Sequence, residues 1–221
     1  MEPILSDQDR DLLDRRIKDA EKRTKAQIVA AVAKRSDSYA ELPWKAFAFG
    51  ASVTGLLVGV FGVIAYCMSP DLTLPLTGVA AVLVVGALFA LLTVLVPGFA
   101  RLFLSAHRAE AEVRQYAQSF FLERELFATT GRTGILLLVS LFERRVMLLP
   151  DKGISHRLTG NATEEVIASM RSYLARNQIG RALEAGLDRL TVFLDAGVPG
   201  GPAVGIGKDE LPDAVVEEKG V

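Results

Sequence analysis

Two long apolar runs near the middle of the chain constrain its fold more than any other feature. They occupy residues 46–68 and 76–96 and contain no Asp, Glu, Lys, Arg or His. At about 1.5 Å per helical residue, each run reaches roughly 30–35 Å, enough to cross a hydrocarbon core of about 30 Å. Two prolines in residues 69–75 end both helices and favour a tight turn. The sequence predicts a two-helix transmembrane hairpin over residues 45–100, and a buried core helix is the alternative for either run.

The basic residues around the hairpin predict its orientation. Three precede the first run and three follow the second: Lys34, Arg35, Lys45, Arg101, Arg108 and Arg114. The loop between the runs has none. Because basic residues favour the cytoplasmic side, we expect a multi-pass protein of the plasma (inner) membrane with both termini in the cytoplasm.

Small residues recur at every fourth position in both runs. Gly55 and Gly59 lie on the first run and Gly86 on the second, and all three are predicted helix-packing residues. The simplest interpretation is packing of the hairpin against itself, and a homodimer through Gly55 and Gly59 is the alternative. Without an ionisable residue in either run, the hairpin is typical of an anchor and not of a transporter.

Charge and cysteine content argue against several classes of protein. The 221 residues include 25 basic and 26 acidic ones, and the net charge of −1 gives no electrostatic basis for binding nucleic acid. The single Cys67 lies in the first apolar run, so one chain can form neither a disulfide framework nor a cysteine metal site. Residues 1–44 are polar and charged, and we expect no cleavable signal peptide.

The rest of the chain has the pattern of a soluble α/β domain. Capping and periodicity predict helices from Ser6 to about Thr24, over 105–127, from a cap at Asn161 or Thr163, and over 179–194. Continuous apolar runs predict strands at Gln27–Ala33, Gly134–Ser140 and 145–149. Few strands with helices for both faces indicate a three-layer α/β/α sandwich.

The hairpin then interrupts a single domain. The first helix and strand could not bury their apolar faces alone, so they must join the later strands. We expect residues 1–44 to form the first part of the domain, 45–100 the hairpin and 101–196 the second part. Residues 197–221 are rich in glycine, proline and acid, which predicts a flexible acidic tail.

The central part of the chain resembles the TPM domain family. The stretch Gly-Arg-Thr-Gly-Ile-Leu-Leu-Leu-Val-Ser at 131–140 is similar to the family's glycine and apolar strand, and Glu-Arg-Arg-Val at 143–146 and Asp-Lys-Gly-Ile at 151–154 are similar to its two turns. The similarity is greatest to membrane-embedded bacterial members with a hairpin inside the domain. It implies an α/β/α sandwich. Members are implicated in photosystem repair, in receptor modulation at membranes and, for some, in acid phosphatase activity or calcium binding.

The chain departs from the family pattern at one functionally important place. Many members have an acidic pair, Asp-Asp or Asp-Asn, immediately before the glycine of the central strand, and Arg132 and Thr133 stand there in this chain. The departure weakens any inference of calcium or magnesium binding, or of phosphatase activity, from the resemblance. Asp151, after the next strand, is the closest remaining acid.

Few residues are candidates for a site. Asp151 is a weak metal or catalytic candidate at a strand end, or simply a turn aspartate. His156 could be catalytic with Ser140 or Ser155, although residues so close in one loop rarely form a triad. Arg132 and Thr133 are weak anion-binding candidates. Glu143 lies at the far end of the strand pair, where we expect a solvated tip and no metal shared with Asp151.

These observations favour a non-catalytic role. We expect a membrane-anchored TPM-like domain that binds a membrane protein partner on the cytoplasmic face as an accessory or quality-control module. The alternative is a metal-assisted, acid-phosphatase-like hydrolase, which rests mainly on the family resemblance. No cofactor is expected from the residues themselves.

Overall fold

The computed structural model describes residues 4–68, 73–196, 215–218 and 220. The chain forms two compact units, one of Met1–Asp37 with Glu110–Val221 and one of Ser38–Ala109. The second unit is therefore inserted, in sequence, between two parts of the first.

Seven α-helices, one short 3₁₀ segment and four strands make up the described residues. The first unit contains α1 (Asp7–Thr24), β1 (Gln27–Ala33), most of α5 (Ala106–Glu123), β2 (Gly134–Ser140), β3 (Arg145–Pro150), α6 (Gly160–Ala175), α7 (Ile179–Ala196) and β4 (Val216–Glu218). The second contains α2 (Glu41–Met68), α3 (Thr73–Leu95), α4 (Pro97–Ala100) and the 3₁₀ segment Arg101–Phe103.

The four strands form one mixed sheet in the order β3-β2-β1-β4. β1 is parallel to β2, with Gln27 beside Gly134, and also parallel to β4, whereas β3 is antiparallel to β2. We call the side where β1, β2 and β4 end the carboxyl edge, and the side where β1 and β2 begin the amino edge. Because β3 is antiparallel, the residues that follow it lie at the amino edge.

Helices cover both faces of this sheet. On one face, α1, α6 and α7 bury the alternate strand residues Ile28, Ala30, Val32, Ile135, Leu137 and Val139. On the other face, α5 packs Val113, Ala117 and Phe120 against Val29, Ala31, Leu136 and Leu138. A strand that is buried on both faces has no polar side, which is why β1 and β2 are continuous apolar runs. The predicted three-layer α/β/α sandwich is confirmed.

Capping signals in the sequence predicted the start of α1 correctly and the start of α6 incorrectly. Ser6 caps α1 as predicted, since its hydroxyl accepts the Asp9 N–H at 3.1 Å. The predicted caps of α6, Asn161 and Thr163, are wrong. The extended backbone of Thr159 occupies the N-cap position, so Asn161 already lies inside the first turn.

The predicted flexibility of the tail is wrong at its last described residues. Val216–Glu218 form β4 and pair with Ala31, Val32 and Ala33 of β1. The strand forms because β1 would otherwise leave its outer backbone groups unpaired. Residues 197–214, 219 and 221 of the tail lie outside the described residues.

In the second unit, α2 and α3 lie against each other through aromatic rings and glycines. The ring of Phe89 covers Gly50, and the ring of Phe47 covers Gly86, at about 2.9 Å from where a Cβ would be. Gly55 faces Val82 at 3.9 Å, whereas a Cβ at Gly59 would meet nothing within 4 Å. Within this unit, Gly86 is thus a close-packing position and Gly59 faces open space.

Both of these helices are long and apolar enough to cross a membrane. The qualifying stretches are Glu41–Ile64 and Leu76–Leu95, and only 6% and 17% of their apolar windows are buried. Length and composition alone do not distinguish a membrane span from a core helix, although a core helix is mostly buried.

Candidate functional site

An ion pair occupies the amino edge of the sheet. Arg132, in the loop before β2, donates from Nε to Asp151 Oδ2 at 2.7 Å and from Nη2 to Asp151 Oδ1 at 2.9 Å. The Asp151 side chain is only 4% exposed, whereas that of Arg132 is 51% exposed. The guanidinium therefore lies over the carboxylate on its solvent side and presents a two-bond contact of the strongest geometry for such a pair.

Hydrogen bonds keep Asp151 ionised. Burial by itself would raise its pKa, but the bonds from Arg132 and from the Lys152 N–H, at 2.7 Å, together with both positive charges, hold the pKa of Asp151 below its usual value. Asp151 is therefore a carboxylate whose charge is already compensated.

Two glycines let the loops of this edge come together. Gly153 packs against the backbone carbonyls of Gly131 and Arg132, with no room for a Cβ, and its N–H donates to the Arg132 backbone oxygen at 2.9 Å. Gly134, which opens β2, likewise packs against the carbonyl of Leu126. Close backbone packing thus requires a glycine as the first residue of the central strand.

The residues at the amino edge do not fit the calcium or magnesium that the family resemblance implies. Arg132 occupies both oxygens of Asp151, and a cation would have to approach against the guanidinium charge. Calcium sites need six or more oxygen ligands. In the described part of the chain, no three His, Cys, Asp or Glu side chains are grouped to hold a metal ion.

The other predicted site residues do not join Asp151 in a catalytic arrangement. His156 is exposed on the loop after β3, and the Ser155 hydroxyl donates to the Lys152 carbonyl. Ser140 lies at the opposite edge of the sheet, at the end of β2. The backbone N–H of Thr133 donates to the Thr129 hydroxyl at 3.0 Å, which helps to fix the loop before β2. Sheets of this type usually bind ligands at the carboxyl edge, and Asp151 is not there.

A buried carboxylate lies at the carboxyl edge. Glu143 is 7% exposed, so the expected solvated tip is wrong for this residue. Its Oε1 accepts the Ser36 N–H at 2.9 Å, its Oε2 accepts the Ser140 hydroxyl, and the hydroxyls of Ser36 and Ser140 lie 2.9 Å apart. The β2–β3 turn folds inward because its carboxylate supplies acceptors where β1 and β2 end.

A cavity of about 360 Å³ opens beside this cluster. Ser36 belongs to its wall, four carboxylates line it (Asp37, Glu112, Glu123 and Glu218), and Tyr116 and Phe120 provide its apolar part. Burial raises the pKa of Tyr116, and the negative charges of Glu218 and Glu123 raise it further. The wall of the cavity is therefore acidic, and part of its charge is already compensated because Glu218 pairs with Arg124 at 2.7 Å.

Sequence reasoning missed the residues of the carboxyl edge. Ser36 and Ser140 each lie at or just beyond the end of a predicted apolar strand, which could have indicated a polar site at a common edge. Glu143 gave no such signal, because a charged turn of Glu-Arg-Arg is typical of an exposed tip. Its burial depends on β1 and β2 being parallel neighbours.

The sheet and its covering helices define an α/β sandwich. Its central strand, β2, begins with Gly134, and the loops before β2 and after β3 pack closely against each other. The model of the TPM domain family matches residues 98–192, which include β2, β3 and α6. The chain carries a TPM domain, and the resemblance read from the sequence is confirmed.

A solved structure has the same fold. The NMR structure of BA42 protein from the psychrophilic bacterium Bizionia argentinensis aligns over 98% of this chain and 97% of its own, with a TM-score of 0.56 and 13% sequence identity. At that identity the likeness concerns the fold alone. No curated protein sequence matches the chain significantly.

Proposed function

We propose that the chain is a membrane-anchored TPM domain protein without catalytic activity, which binds a membrane protein on the cytoplasmic face as an accessory or quality-control module. The ion pair between Arg132 and Asp151 is the observation that carries this proposal. It places a fixed positive charge where a metal-dependent hydrolase of this family would need an acidic pair.

The anchor is the helix pair α2 and α3. Large apolar side chains on both helices are exposed, among them Leu56, Phe61 and Val94 at 65–69%. Such a surface is costly in water and favourable in lipid. The flanking basic residues favour a cytoplasmic location for both termini and an external loop.

Cysteine labelling in intact cells tests this topology. In a Cys67→Ala background, Leu72→Cys in the loop should react with a membrane-impermeant maleimide, and Ser155→Cys should react only after permeabilisation. Ser155 is exposed, so its protection reports location and not burial. Equal labelling of both positions in sealed cells would contradict the proposed orientation.

The surface that we assign to the partner is the acidic cavity at the carboxyl edge. Its acidic lining, in which Glu218 is paired with Arg124, favours a partner segment that contains Lys or Arg, and charge complementarity of this kind gives specificity and rapid association. A photo-crosslinking residue at Gln115 or Ser119, which line the cavity, should capture one partner in intact membranes. The same residue at the exposed Glu164 of α6 is the matched control and should not.

The phosphatase alternative makes a different prediction. It requires hydrolysis of a phosphate ester by the purified full chain that depends on a divalent metal and is lost in Asp151→Asn. We expect no such activity at any pH, because metal-assisted chemistry needs a carboxylate whose oxygens can coordinate the metal, and both oxygens of Asp151 are bonded to Arg132. Residual turnover that Asp151→Asn leaves unchanged would indicate a contaminant.

A second copy of the chain is a further partner to consider. The open side of α2 at Gly59 permits close approach of another helix in lipid. Such a homodimer is compatible with the role proposed above and would double the number of cavities per assembly.

A further inference from the structure

The last strand of the sheet is short and lies far in sequence from the strand it joins. β4 has three residues and runs parallel to β1, and the Lys34 N–H extends the pairing by donating to the Glu218 carbonyl at 3.2 Å. Residues 197–214 connect α7 to Val215. Three strand residues by themselves provide little stability, so side-chain contacts must hold β4 in place.

Glu217 provides the strongest of these contacts. Its Oε2 accepts the Ile4 N–H at 2.9 Å, and its Oε1 accepts the Leu5 N–H at 3.1 Å and the Arg10 guanidinium at 2.7 Å. The side chain is 14% exposed. Burial by itself would raise its pKa, but these bonds hold the pKa of Glu217 below its usual value.

We call the segments that contact β4 the groove: Ile4 and Leu5, α1, β1 with Lys34 and Arg35, and Arg124. Two residues near Glu217 make further contacts with the groove. Glu218 accepts a hydrogen bond from Arg124, the residue after α5, at 2.7 Å. Gly220, at φ +73°, packs against the backbone of Arg35 with no space for a Cβ. A segment that fills the groove in the same way needs an extended backbone with two successive glutamates and a glycine two positions later, which is the pattern of strand-adding recognition sites.

We propose that this groove is a peptide-recognition site whose occupant can be exchanged, and that the C-terminal segment of a second copy of the chain occupies it in trans. The contacts described above that hold β4 are non-covalent and come from Ile4 and Leu5, from α1, from β1 with the following Lys34 and Arg35, and from Arg124. The same contacts are therefore available to an identical segment from another chain, as in domain swapping.

Two complementary variants of the full chain test exchange between copies. Arg10→Ala damages the groove and leaves the tail intact, whereas Glu217→Ala damages the tail and leaves the groove intact. The two variants are co-expressed with different tags. The Arg10→Ala copy then supplies an unaltered tail, and the Glu217→Ala copy supplies an unaltered groove. We expect the mixed pair to co-purify about tenfold more than either variant does with itself.

The pairs of identical variants are the controls, because any association through the hairpin is the same in all three combinations. Arg15→Ala, at an exposed position of α1, is a further control. When it is used in place of Arg10→Ala, the mixed pair should show no preference over the identical pairs. Equal recovery of mixed and identical pairs would overturn the proposal.

A labelled peptide provides a second measurement that does not depend on co-expression of two variants. With a protease site inserted between Gly201 and Pro202, the folded full chain can be cut and its tail exchanged for a synthetic peptide of residues 213–221. We expect saturable binding only after cleavage, weakened about tenfold by Glu217→Gln in the peptide and abolished by Gly220→Val. A folded, cleaved chain that binds no peptide, or binds all three equally, would contradict the assignment.

Discussion

Glu143 accepts a hydrogen bond from the backbone N–H of Ser36 at 2.9 Å and so joins the β2–β3 turn to the end of β1. The two residues are 107 positions apart. Residues 38–109, which form the second unit, lie between them in sequence. The bond thus links the two sequence parts of the first unit.

Glu143→Ala should destabilise the folded chain. The substitution leaves the Ser36 N–H and the Ser140 hydroxyl without this acceptor in a buried position, which costs about 2–3 kcal/mol. Chemical unfolding of the full chain in detergent micelles measures the change. Arg144→Asn in the same turn is the control, because Arg144 is exposed at φ 53°, a conformation that Asn adopts readily, and should change stability by less than about 0.5 kcal/mol.

Gly153→Ala should also destabilise the fold strongly. A Cβ at Gly153 meets the carbonyl oxygens of Gly131 and Arg132, which are backbone atoms and cannot move aside cheaply. We expect a loss of at least about 2 kcal/mol by the same unfolding measurement. Gly160→Ala is the matched control, since its Cβ meets nothing within 4 Å, and it should be neutral or slightly stabilising. Equal effects of the two substitutions would show that the two loops do not pack as described.

Acid should weaken the amino edge through Asp151. The pKa of Asp151 is lower in the folded chain than its ordinary value of about 3.9. Its ion pair therefore contributes stability that is complete above about pH 4 and is lost as the pH falls toward the folded-state pKa. The thermal midpoint of the unchanged chain should fall more steeply below about pH 4 than that of Asp151→Asn. Parallel curves for the two chains would exclude an ionised Asp151 paired with Arg132.

Substitutions of the hairpin glycines should distinguish helix packing within one chain from association between two chains. Gly86→Leu displaces the ring of Phe47 and should lower the thermal stability of the hairpin. Gly59→Leu meets no atom within 4 Å of its Cβ and should leave that stability unchanged. If the homodimer forms through Gly55 and Gly59, Gly59→Leu should lower the dimer fraction measured by crosslinking in membranes. An unchanged dimer fraction would place that interface elsewhere.

Sequence alone predicted the elements whose signals are local. The ends of β1 and β2 follow from uninterrupted apolar runs, and α1 begins at Ser6 because its hydroxyl caps the first turn. The departure at Arg132 was also visible in the sequence. Its consequence was not, because the pairing with Asp151 depends on β3 running antiparallel beside β2.

Residues whose roles depend on distant neighbours could not be predicted. Glu143 belongs to a turn that is polar in sequence, and only the parallel alignment of β1 and β2 brings Ser36 and Ser140 to it. β4 is a short acidic segment, and only the free side of β1, with Arg10 and Arg124 nearby, makes it a strand.

Calcium titration of the purified full chain tests most directly whether the pairing of Arg132 with Asp151 excludes a metal ion from the amino edge. We predict no saturable heat of binding and no calcium-dependent rise in Tm at millimolar calcium. The double substitution Arg132→Asp and Thr133→Asn, which restores the acidic pattern, is the matched comparison and should gain such a rise. Saturable calcium binding by the unchanged chain that disappears in Asp151→Asn would contradict the claim that Arg132 excludes a metal ion from Asp151.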